Sequence, residues 1–280
     1  MAMLNLSQKR DQLIDLIRSL ESCAVAFSAG VDSTVVAKAA QLALGDKAVA
    51  VTGTSASLPE GELAAAKDLA QRIGIRHVII ATDEFANSSY TDNAPDRCYH
   101  CKAELYTQLD GLAADLGVEC VLNGANIDDA EDYRPGMKAA AEHRVVSPLA
   151  ECNLSKSEIR TLAAEWDLPI WDKPASPCLS SRIAYGEEVT PERLLMIDQA
   201  EQFLRQRGFR HVRVRYHRGD LARIEVPVEE LDRFGGADLR RQLVERFAAL
   251  GFKFVTLDLE GFRSGSLNSL VPLAISPHDG

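Results

Sequence analysis

Residues 24–38, AVAFSAGVDSTVVAK, constrain the fold more than any other stretch of this 280-residue chain. A run of apolar and small residues leads into SAGVDS at residues 28–33, and an amphipathic segment follows at once. This order predicts a strand, a tight loop and a helix that begins near Ser33. Small residues in such a loop let backbone N–H groups surround an anion, at which the positive end of the helix also points. The segment therefore predicts a phosphate site made from backbone.

The spacing of this loop differs from that of two common phosphate-binding motifs. Neither GxxxxGK[ST] nor GxGxxG is present, so a P-loop NTPase and a dinucleotide-binding site are not indicated. The loop resembles the PP-loop, SGGxDS, of enzymes that split ATP into AMP and pyrophosphate. Ala29 replaces the first glycine, which an alanine can do if its φ is negative. The loop alone fits equally an ordinary turn, with Ser33 as the helix cap and Asp32 on the helix dipole.

Composition narrows the classes of protein and partner. The 46% hydrophobic content supports a full core, and no apolar run approaches the length of a membrane span. The start of the chain lacks the apolar region of a signal peptide, so we expect a cytoplasmic protein without a membrane partner. A net charge of −10 makes a nucleic-acid partner unlikely. Six cysteines in such a chain point to metal binding, catalysis or core packing.

Strands alternate with helices through the first part of the chain, which predicts a parallel sheet covered on both faces. The expected strands are residues 23–27, 48–52, 77–81, 119–123 and 144–146, and the helices are 7–20, 33–44, 57–73 and 155–166. The proline-rich sequence of residues 171–186 predicts a linker between a domain of residues 1–170 and one of residues 187–280. The second domain is expected to be α+β, with helices at 191–207 and 239–250 and strands at 211–216, 222–226 and 252–257.

Ligands of parallel sheets bind at the carboxyl ends of the strands, where residues 28–33, 52–55 and 124–129 are expected to converge. Such a pocket suits ATP and its pyrophosphate. The candidate ATP residues are Ser28, Gly30, Asp32, Ser33, Thr52, Ser55 and Gly124. Asp32 is also the candidate Mg²⁺ ligand, since Mg²⁺ prefers oxygen. An acidic run (Asp128, Asp129, Glu131 and Asp132) suits either Mg²⁺ or a helix cap.

Further motifs appear in a fixed order along nearly the whole chain. They are SAGVDS, RCYHCK at 97–102, NGANIDDAEDYRPG at 123–136, SPL at 147–149, LSKSEIR at 154–160, PASPCLSSRIAYG at 174–186, RVRYH, ARIEV and GFRSGSLN at 261–268. Together they resemble the LarE family, the ATP-dependent sulfur transferases of nickel-pincer cofactor biosynthesis. The resemblance implies a Rossmann-like, HUP-type PP-loop ATP pyrophosphatase domain followed by a smaller α+β domain. It also implies a homo-oligomer, with a hexamer as the suggested form, and a role in lactate racemase maturation.

The resemblance implies a specific reaction as well. The family adenylates a carboxylate of pyridinium-3,5-dicarboxylate mononucleotide and replaces the AMP with sulfur. In its best-known form the sulfur comes from an enzyme cysteine, here Cys178, which becomes dehydroalanine. Some relatives hold a [4Fe–4S] cluster on three cysteines instead. By that route Cys98, Cys101 and Cys178 are the candidate ligands.

The CxxC pair Cys98 and Cys101 has other interpretations. A structural zinc site normally needs a second pair, which the sequence lacks, and a redox pair normally opens a helix in a thioredoxin-like unit. Incidental thiols are a further option. For Cys178, nearby Arg182 can activate the thiol, although a cysteine in a proline-rich linker is often incidental.

A second phosphate site is needed for a mononucleotide substrate, and arginine suits it by its forked donors. The candidates are Ser181, Arg182, Arg213, Arg215, Arg263 and Ser264. Arg213 and Arg215 share one face of a strand, with Val212 and Val214 on the core side. Solvated charges on a half-buried strand are the plain alternative. Glu225 either binds Mg²⁺ or orients these arginines.

Three other functions remain open at this point. The same ATP chemistry serves tRNA thiolases, which need a basic RNA-binding surface. It also serves amide ligases such as NAD and GMP synthetases, which need no Cys178. A nucleotide-sensing module binds ATP or AMP and releases no pyrophosphate.

Overall fold

The structure is a computed structural model that describes residues 4–131, 135–174, 176–263 and 265–267, with backbone alone at 130 and 131. The chain separates into two compact units. Unit 1 consists of the chain up to Ala86 together with Cys98–Ser176. Unit 2 consists of Asn87–Arg97 and the chain from Pro177 onward. The boundary after Ser176 falls inside the proposed linker, but the grouping of Asn87–Arg97 with unit 2 is not foreseen by the sequence.

Helices and strands follow the expected alternation. The helices are α1 (Leu6–Arg18), α2 (Val31–Leu44), α3 (Glu62–Ile73), α4 (Ser88–Thr91), α5 (Arg97–Leu116), α6 (Pro135–Glu142), α7 (Pro148–Glu151), α8 (Lys156–Glu165), α9 (Pro191–Arg205) and α10 (Ala237–Leu250). The strands are β1 (Cys23–Ala26), β2 (Ala48–Thr54), β3 (Arg76–Ala81), β4 (Cys120–Leu122), β5 (Arg213–His217), β6 (Leu221–Glu225) and β7 (Phe254–Leu257). Within the described part of the chain, no helix has the length and apolar character needed to cross a membrane.

Unit 1 is built on a parallel four-stranded sheet in the order β3-β2-β1-β4. Strand β1 is fully buried, and its successive side chains enter two different apolar clusters. Cys23 and Val25 lie in one cluster, and Ala24 and Ala26 lie in the other. A strand that is buried on both faces needs such a continuous run of apolar residues. The predicted α/β class, with a covered parallel sheet followed by a smaller domain, is confirmed.

Three local predictions are wrong. Helix α2 begins at Val31, because Gly30 takes the cap position and the Ser33 hydroxyl bonds back to the Gly30 carbonyl. Helix α3 begins at Glu62 instead of residue 57, because the Ser57 hydroxyl bonds to Glu84 instead of capping a helix. The expected strand at 144–146 is reduced to a single bridge between Val146 and Leu122.

Unit 2 carries a three-stranded sheet in the order β5-β6-β7, with an antiparallel first pair and a parallel second pair. Val212 and Val214 are fully buried, as expected for the core side of this strand. Asn87–Arg97 joins this unit through Asn93, whose amide donates to the carbonyls of Ile183 and Ala184. Glycine is not required at Asn93 although its φ is 56°, since asparagine tolerates the left-handed region.

Gly124 lies two residues after the end of β4 and packs against the start of helix α2. A Cβ added there would lie 2.8 Å from the Ser33 nitrogen and 3.0 Å from Asp32 Cβ. Both contacts are at the start of a packed helix, so neither can move by a simple rotamer change. The chain after β4 therefore depends on having no side chain at this position.

We expect Gly124→Ala to lower the free energy of unfolding by about 1–3 kcal/mol, because α2 and the chain after β4 must separate. The matched control is Gly111→Ala in α5, where an added Cβ meets nothing within 4 Å. That variant should be neutral or stabilised by up to about 1 kcal/mol, the usual difference between glycine and alanine in a helix. Urea unfolding of both variants measures the difference. Equal stability in the two would contradict the close approach at Gly124.

Candidate active site

The loop between β1 and α2 is closed by its two serines. The Ser28 and Ser33 hydroxyls lie 3.1 Å apart, and the Ser28 backbone N–H donates to Ser33 Oγ at 3.2 Å. The Gly30 N–H points back to Ser28 Oγ at 3.4 Å. These contacts fold residues 28–33 around a small concave turn at the N-terminus of a 14-residue helix. Hydroxyls, backbone N–H groups and the helix dipole all favour an anion at this place.

The backbone of Ala29 differs from the prediction. Its φ is 55°, in the left-handed region, whereas the sequence analysis required a negative φ. The side chain is fully buried, so the methyl group is packed where the usual glycine would leave a gap. The left-handed Ala29 is followed by the extended Gly30, whose N–H is directed back at Ser28 Oγ. The loop therefore keeps the glycine conformation with an alanine in it.

Asp32 in the first turn of α2 has two partners within unit 1. Its Oδ2 forms an ion pair with the Lys156 ammonium, and its Oδ1 accepts from the Asn126 amide at 3.4 Å. Lys156 is the first residue of α8, and its own backbone N–H donates to Asp128 Oδ2 at 2.7 Å. The side chains of Asp32 and Lys156 remain partly exposed, 24% and 37% respectively. A carboxylate and an ammonium group are thus held together beside the serine loop.

The three loops at the carboxyl edge of the sheet converge as expected. Thr52, at the end of β2, donates its hydroxyl to the Phe27 carbonyl at 2.8 Å, and Gly124 packs on Ser33. His77 Nε2 lies 2.8 Å from the same Thr52 oxygen. Since the threonine proton is used by Phe27, the imidazole must donate it a proton from Nε2. Burial, with a contribution from Lys67, lowers the pKa of His77 and favours this neutral ring.

Ser55 is bound to a buried carboxylate that the sequence analysis missed. Its hydroxyl donates to Glu84 Oε1 at 2.5 Å, and the Ser57 hydroxyl donates to the same oxygen at 3.1 Å. Glu84 is 3% exposed, and its Oε2 has no hydrogen-bond partner among the described residues. The Glu84 carboxylate therefore holds the loop after β2 through two serine hydroxyls.

The proposed metal ligands fit their groups to different degrees. Mg²⁺ is commonly held by one or two carboxylates together with substrate phosphates, and Asp32 beside the loop suits that arrangement. Across the described ranges, no three Cys, His, Asp or Glu side chains come together as a metal site. Cys98 and Cys101 belong to unit 1 and Cys178 to unit 2, and a cluster on these three thiols stays a prediction. Asp132 lies outside the described residues, whereas Asp128 bonds to the start of α8 as a cap.

Cys178 is the second residue of the longer segment of unit 2 and is partly exposed. It precedes a short 3-10 helix, Leu179–Arg182. Three thiols of unit 1, those of Cys23, Cys120 and Cys152, have different surroundings. Burial raises the pKa of Cys23 to about 12 and that of Cys152 to about 11, and it also raises the pKa of Cys120. A thiol with a raised pKa is a poor nucleophile at neutral pH, so these three are unsuited to nucleophilic chemistry.

The CxxC pair lies in the first turns of α5, with Cys98 exposed and Cys101 half-buried. Residues three apart on a helix face the same side. The chain before this helix forms a turn, in which the Arg97 N–H donates to the Ala94 carbonyl. The placement is compatible with both a redox pair and a cluster half-site.

Arg182 is fully buried, which differs from a residue waiting for a ligand phosphate. Its Nε lies 3.1 Å from Glu201 Oε1, and its Nη1 contacts the carbonyls of Pro177 and Cys178. Burial alone raises the pKa of Glu201, but Arg182 and Arg205 outweigh it and hold the pKa below its usual value. The Glu201 carboxylate is therefore paired with two guanidinium groups, those of Arg182 and Arg205. The predicted contact of Arg182 with substrate stays a prediction.

The remaining arginines of the strand face differ in their partners. Arg215 pairs with Glu225 at 2.8 Å and donates to the Ser181 carbonyl at 3.1 Å. Glu225 is fully buried and its oxygens contact Arg215 and Arg223, while its two predicted roles stay predictions. Arg263 lies 3.5 Å from Asp258. Ser264 lies outside the described residues.

Arg213 is a cation in unfavourable surroundings. Burial and then neighbouring Arg182 lower its pKa from 12.5 to about 10. It stacks 5.5 Å from the Phe262 ring and donates to the Val212 carbonyl at 2.9 Å. A guanidinium that is half-buried beside other cations is stabilised by any anion that reaches it. Arg182 and Arg215 are already paired with Glu201 and Glu225, so the phosphate contact predicted for these arginines stays a prediction.

Lys156, Asn126, Glu84 and Glu201 are the main site residues that the sequence analysis did not single out. The signal for Lys156 was present in LSKSEIR, a motif otherwise used only as a resemblance. Glu84 and Glu201 carry no local signal, because each is identified only by the partners that burial gives it.

We expect Lys156→Met to lower kcat/KM for ATP in a pyrophosphate-release assay by about tenfold, the effect of one charge-assisted contact of about 1.5 kcal/mol. The physical reason is that Asp32 loses its counter-ion and the loop loses a cation next to the phosphate position. Lys47→Met is the matched control, since Lys47 is exposed and lies before the amino end of β2. Equal activity of the two variants would contradict a role for Lys156.

Comparisons with known proteins extend this description. The family model described as NAD synthase matches residues 11–104. The uncharacterized protein slr1717 of Synechocystis sp. is 48% identical over 95% of this chain and 99% of its own length. The tRNA-specific 2-thiouridylase MnmA of Azorhizobium caulinodans is 30% identical over only 54% of this chain and 48% of its own length.

One named relative matches from end to end. The pyridinium-3,5-bisthiocarboxylic acid mononucleotide synthase of Lactiplantibacillus plantarum is 37% identical over 97% of this chain and 98% of its own length. The match includes both the serine loop of unit 1 and the Cys178 segment of unit 2. The chain therefore belongs to the LarE family of ATP-dependent sulfur transferases.

Proposed function

We propose that this protein adenylates a carboxylate of pyridinium-3,5-dicarboxylate mononucleotide with ATP and replaces the AMP with sulfur from Cys178. The product is a thiocarboxylate for nickel-pincer cofactor synthesis, and lactate racemase maturation is the proposed use. A cytoplasmic homo-oligomer, a hexamer in the suggested form, is part of the same proposal. The observation that carries it is the end-to-end match to a relative named for this synthesis.

The serine loop is the proposed adenylation half. Ser28, Ser33 and the N–H groups around Ala29 and Gly30 bind the β- and γ-phosphates, and Thr52, Ser55 and Gly124 border the rest of ATP. Attack of the substrate carboxylate at the α-phosphate expels pyrophosphate, whose negative charge these donors stabilise. Asp32 is the residue that would hold Mg²⁺, which supplies further positive charge there. Lys156, already beside Asp32, adds an ammonium group.

Cys178 is the proposed sulfur donor. Its thiolate attacks the carbonyl of the acyl-adenylate and AMP leaves with the bonding electron pair, which gives a thioester. Loss of the Cys178 α-proton to a base then forms the Cα=Cβ bond and breaks the Cβ–S bond, whose electrons stay on sulfur. The products are the thiocarboxylate and dehydroalanine. No external oxidant or reductant is needed.

The arginine cluster is the proposed site for the phosphate of the substrate. Arg213, Arg215, Arg263 and Ser264 are the proposed donors, whereas the Ser181 hydroxyl is directed at the backbone carbonyl of Cys178. Glu225 holds Arg215 in place. Its proposed Mg²⁺ contact has less support, because arginines and Ser266 already occupy its two oxygens.

The alternatives among related ATP chemistries are less well supported. A tRNA thiolase and a GMP-synthetase-like ligase share the serine loop, but the thiolase relative covers only about half of this chain. Neither alternative accounts for the match through the segment that carries Cys178.

We expect Cys178→Ala to release pyrophosphate in a first turnover but to keep AMP in the acyl-adenylate and form no thiolated product, since the thiol that displaces AMP is missing. Intact mass spectrometry after incubation with ATP, Mg²⁺ and the dicarboxylate nucleotide should show that wild-type protein loses the mass of one hydrogen sulfide per product. Cys120→Ala is the control, because burial raises the pKa of Cys120 and removes it from thiol chemistry. It should behave as wild type.

Two results would contradict the proposed sulfur source. One is thiolated product from wild-type protein that keeps its full mass. The other is product from Cys178→Ala. Iron and acid-labile sulfide in anaerobically purified protein, lost on Cys98→Ala or Cys101→Ala, would replace it with the cluster route.

A further inference from the structure

The backbone carbonyl oxygen of Cys178 accepts three hydrogen bonds. The Ser181 N–H lies 3.1 Å away, the Ser181 hydroxyl 2.7 Å and Arg182 Nη1 2.8 Å. The first of these is the ordinary bond of a 3-10 turn. The other two are side-chain donors, one of which carries a full charge. A carbonyl has two lone pairs, so this oxygen is more than saturated.

The charged donor, the Arg182 guanidinium, is held in place by Glu201. The Arg182 side chain is 1% exposed, and its Nε and Nη2 face Glu201 Oε1 and Oε2 at 3.1 and 3.3 Å. Glu201 is fully buried and also accepts from the Val214 backbone N–H at 3.1 Å. The planar guanidinium thus donates from two edges: Nε and Nη2 donate to the Glu201 carboxylate, and Nη1 donates to the Cys178 carbonyl. Such a donor is in place before any charge develops, which is the condition for electrostatic catalysis.

A carbonyl at this position has a role in the proposed elimination. When a base removes the Cys178 α-proton, the electron pair is shared between Cα and the neighbouring carbonyl oxygen, which becomes an enolate oxygen. The pair then forms the Cα=Cβ bond as the Cβ–S bond breaks and sulfur leaves with its electrons as the thiocarboxylate. The α-proton of a peptide is weakly acidic, so the enolate oxygen is where stabilisation is most useful. Donors at 2.7–3.1 Å match the spacing of an oxyanion site.

We propose that Ser181 and Arg182 form an oxyanion site for the backbone carbonyl of Cys178 and so catalyse its conversion to dehydroalanine. The inference rests on the proposed function, in which Cys178 is the sulfur donor. It gives Arg182 and Ser181 a role on the donor cysteine itself, separate from any contact with the substrate's phosphate. Pyrophosphate release and thioester formation do not use this site.

Ser181→Ala is the test variant, because it removes one donor and leaves the buried Arg182–Glu201 pair intact. The protein is mixed with ATP, Mg²⁺ and pyridinium-3,5-dicarboxylate mononucleotide in a single turnover, and intact mass is followed with time. We expect the thioester adduct to form at a rate within about twofold of wild type and then to accumulate. Dehydroalanine formation should slow by about 10²-fold, the usual effect of losing one oxyanion donor.

Ser180→Ala is the matched control. It is the same substitution one residue away, and the Ser180 hydroxyl bonds to Tyr90 at 2.6 Å instead of the Cys178 carbonyl. Its thioester should partition to dehydroalanine as in wild type. Ser181→Thr keeps a hydroxyl and should restore most of the elimination rate. Protein labelled with deuterium at the cysteine Cα should show a primary isotope effect on elimination in Ser181→Ala, because C–H cleavage is the slowed step.

The possible outcomes separate the two proposals. Wild-type protein that thiolates its substrate without losing hydrogen sulfide overturns Cys178 as donor, and the oxyanion site with it. Wild-type loss of hydrogen sulfide with an unchanged elimination rate in Ser181→Ala overturns the oxyanion site alone. Equal slowing of thioester formation and elimination in that variant also overturns it, because the contacts would then only position the thiol.

Discussion

The nucleotide edge of unit 1 depends on one tight reversal, in which the chain leaves β1 at Ala26 and enters α2 at Val31. Four residues must end a strand buried on both faces and point a helix N-terminus outward. The left-handed Ala29 makes this turn possible, at a cost of about 1–2 kcal/mol for a residue with a Cβ. The Ser28–Ser33 contact and the missing side chain of Gly124 hold it closed. Phosphate-binding donors at this edge exist because the turn is short.

Unit 2 is organised by a different constraint, the burial of guanidinium groups. Arg182 and Arg215 are each paired with a fully buried glutamate, Glu201 and Glu225. Removing such charges from water costs about as much as their attraction returns, so these pairs are weak sources of stability. What they fix is position. Arg215 donates to the Ser181 carbonyl and Arg182 to the Cys178 carbonyl, so the two pairs hold one short segment from its backbone.

The sequence was sufficient for the parallel sheet, because continuous apolar strands between amphipathic helices have few other folds. It was also sufficient to bring Thr52, Gly124 and the serine loop to one edge, since the carboxyl ends of parallel strands share that edge. It failed where a side chain had two partners to choose from. Ser57 looked like a helix cap but bonds to Glu84, and the backbone of Ala29 follows the loop instead of its own preference. The carboxylate partner of Arg182, Glu201, lies in helix α9, and no local sequence pattern predicts that pairing.

Arg182 has one interpretation as a residue of a sequence motif and another in the structure. As a residue of a motif, Arg182 suits a phosphate, because guanidinium groups bind phosphates well. In the structure its donors are directed at the Glu201 carboxylate and at the backbone carbonyl of Cys178, the proposed sulfur donor. A sulfur donor that is consumed has to lose an α-proton as well as act as a nucleophile, and the second demand is the harder one for a peptide. In the proposed elimination, the buried Arg182 guanidinium stabilises the negative charge that forms when the Cys178 α-proton is lost. Neither the thiol nor the nucleotide loop can stabilise that charge.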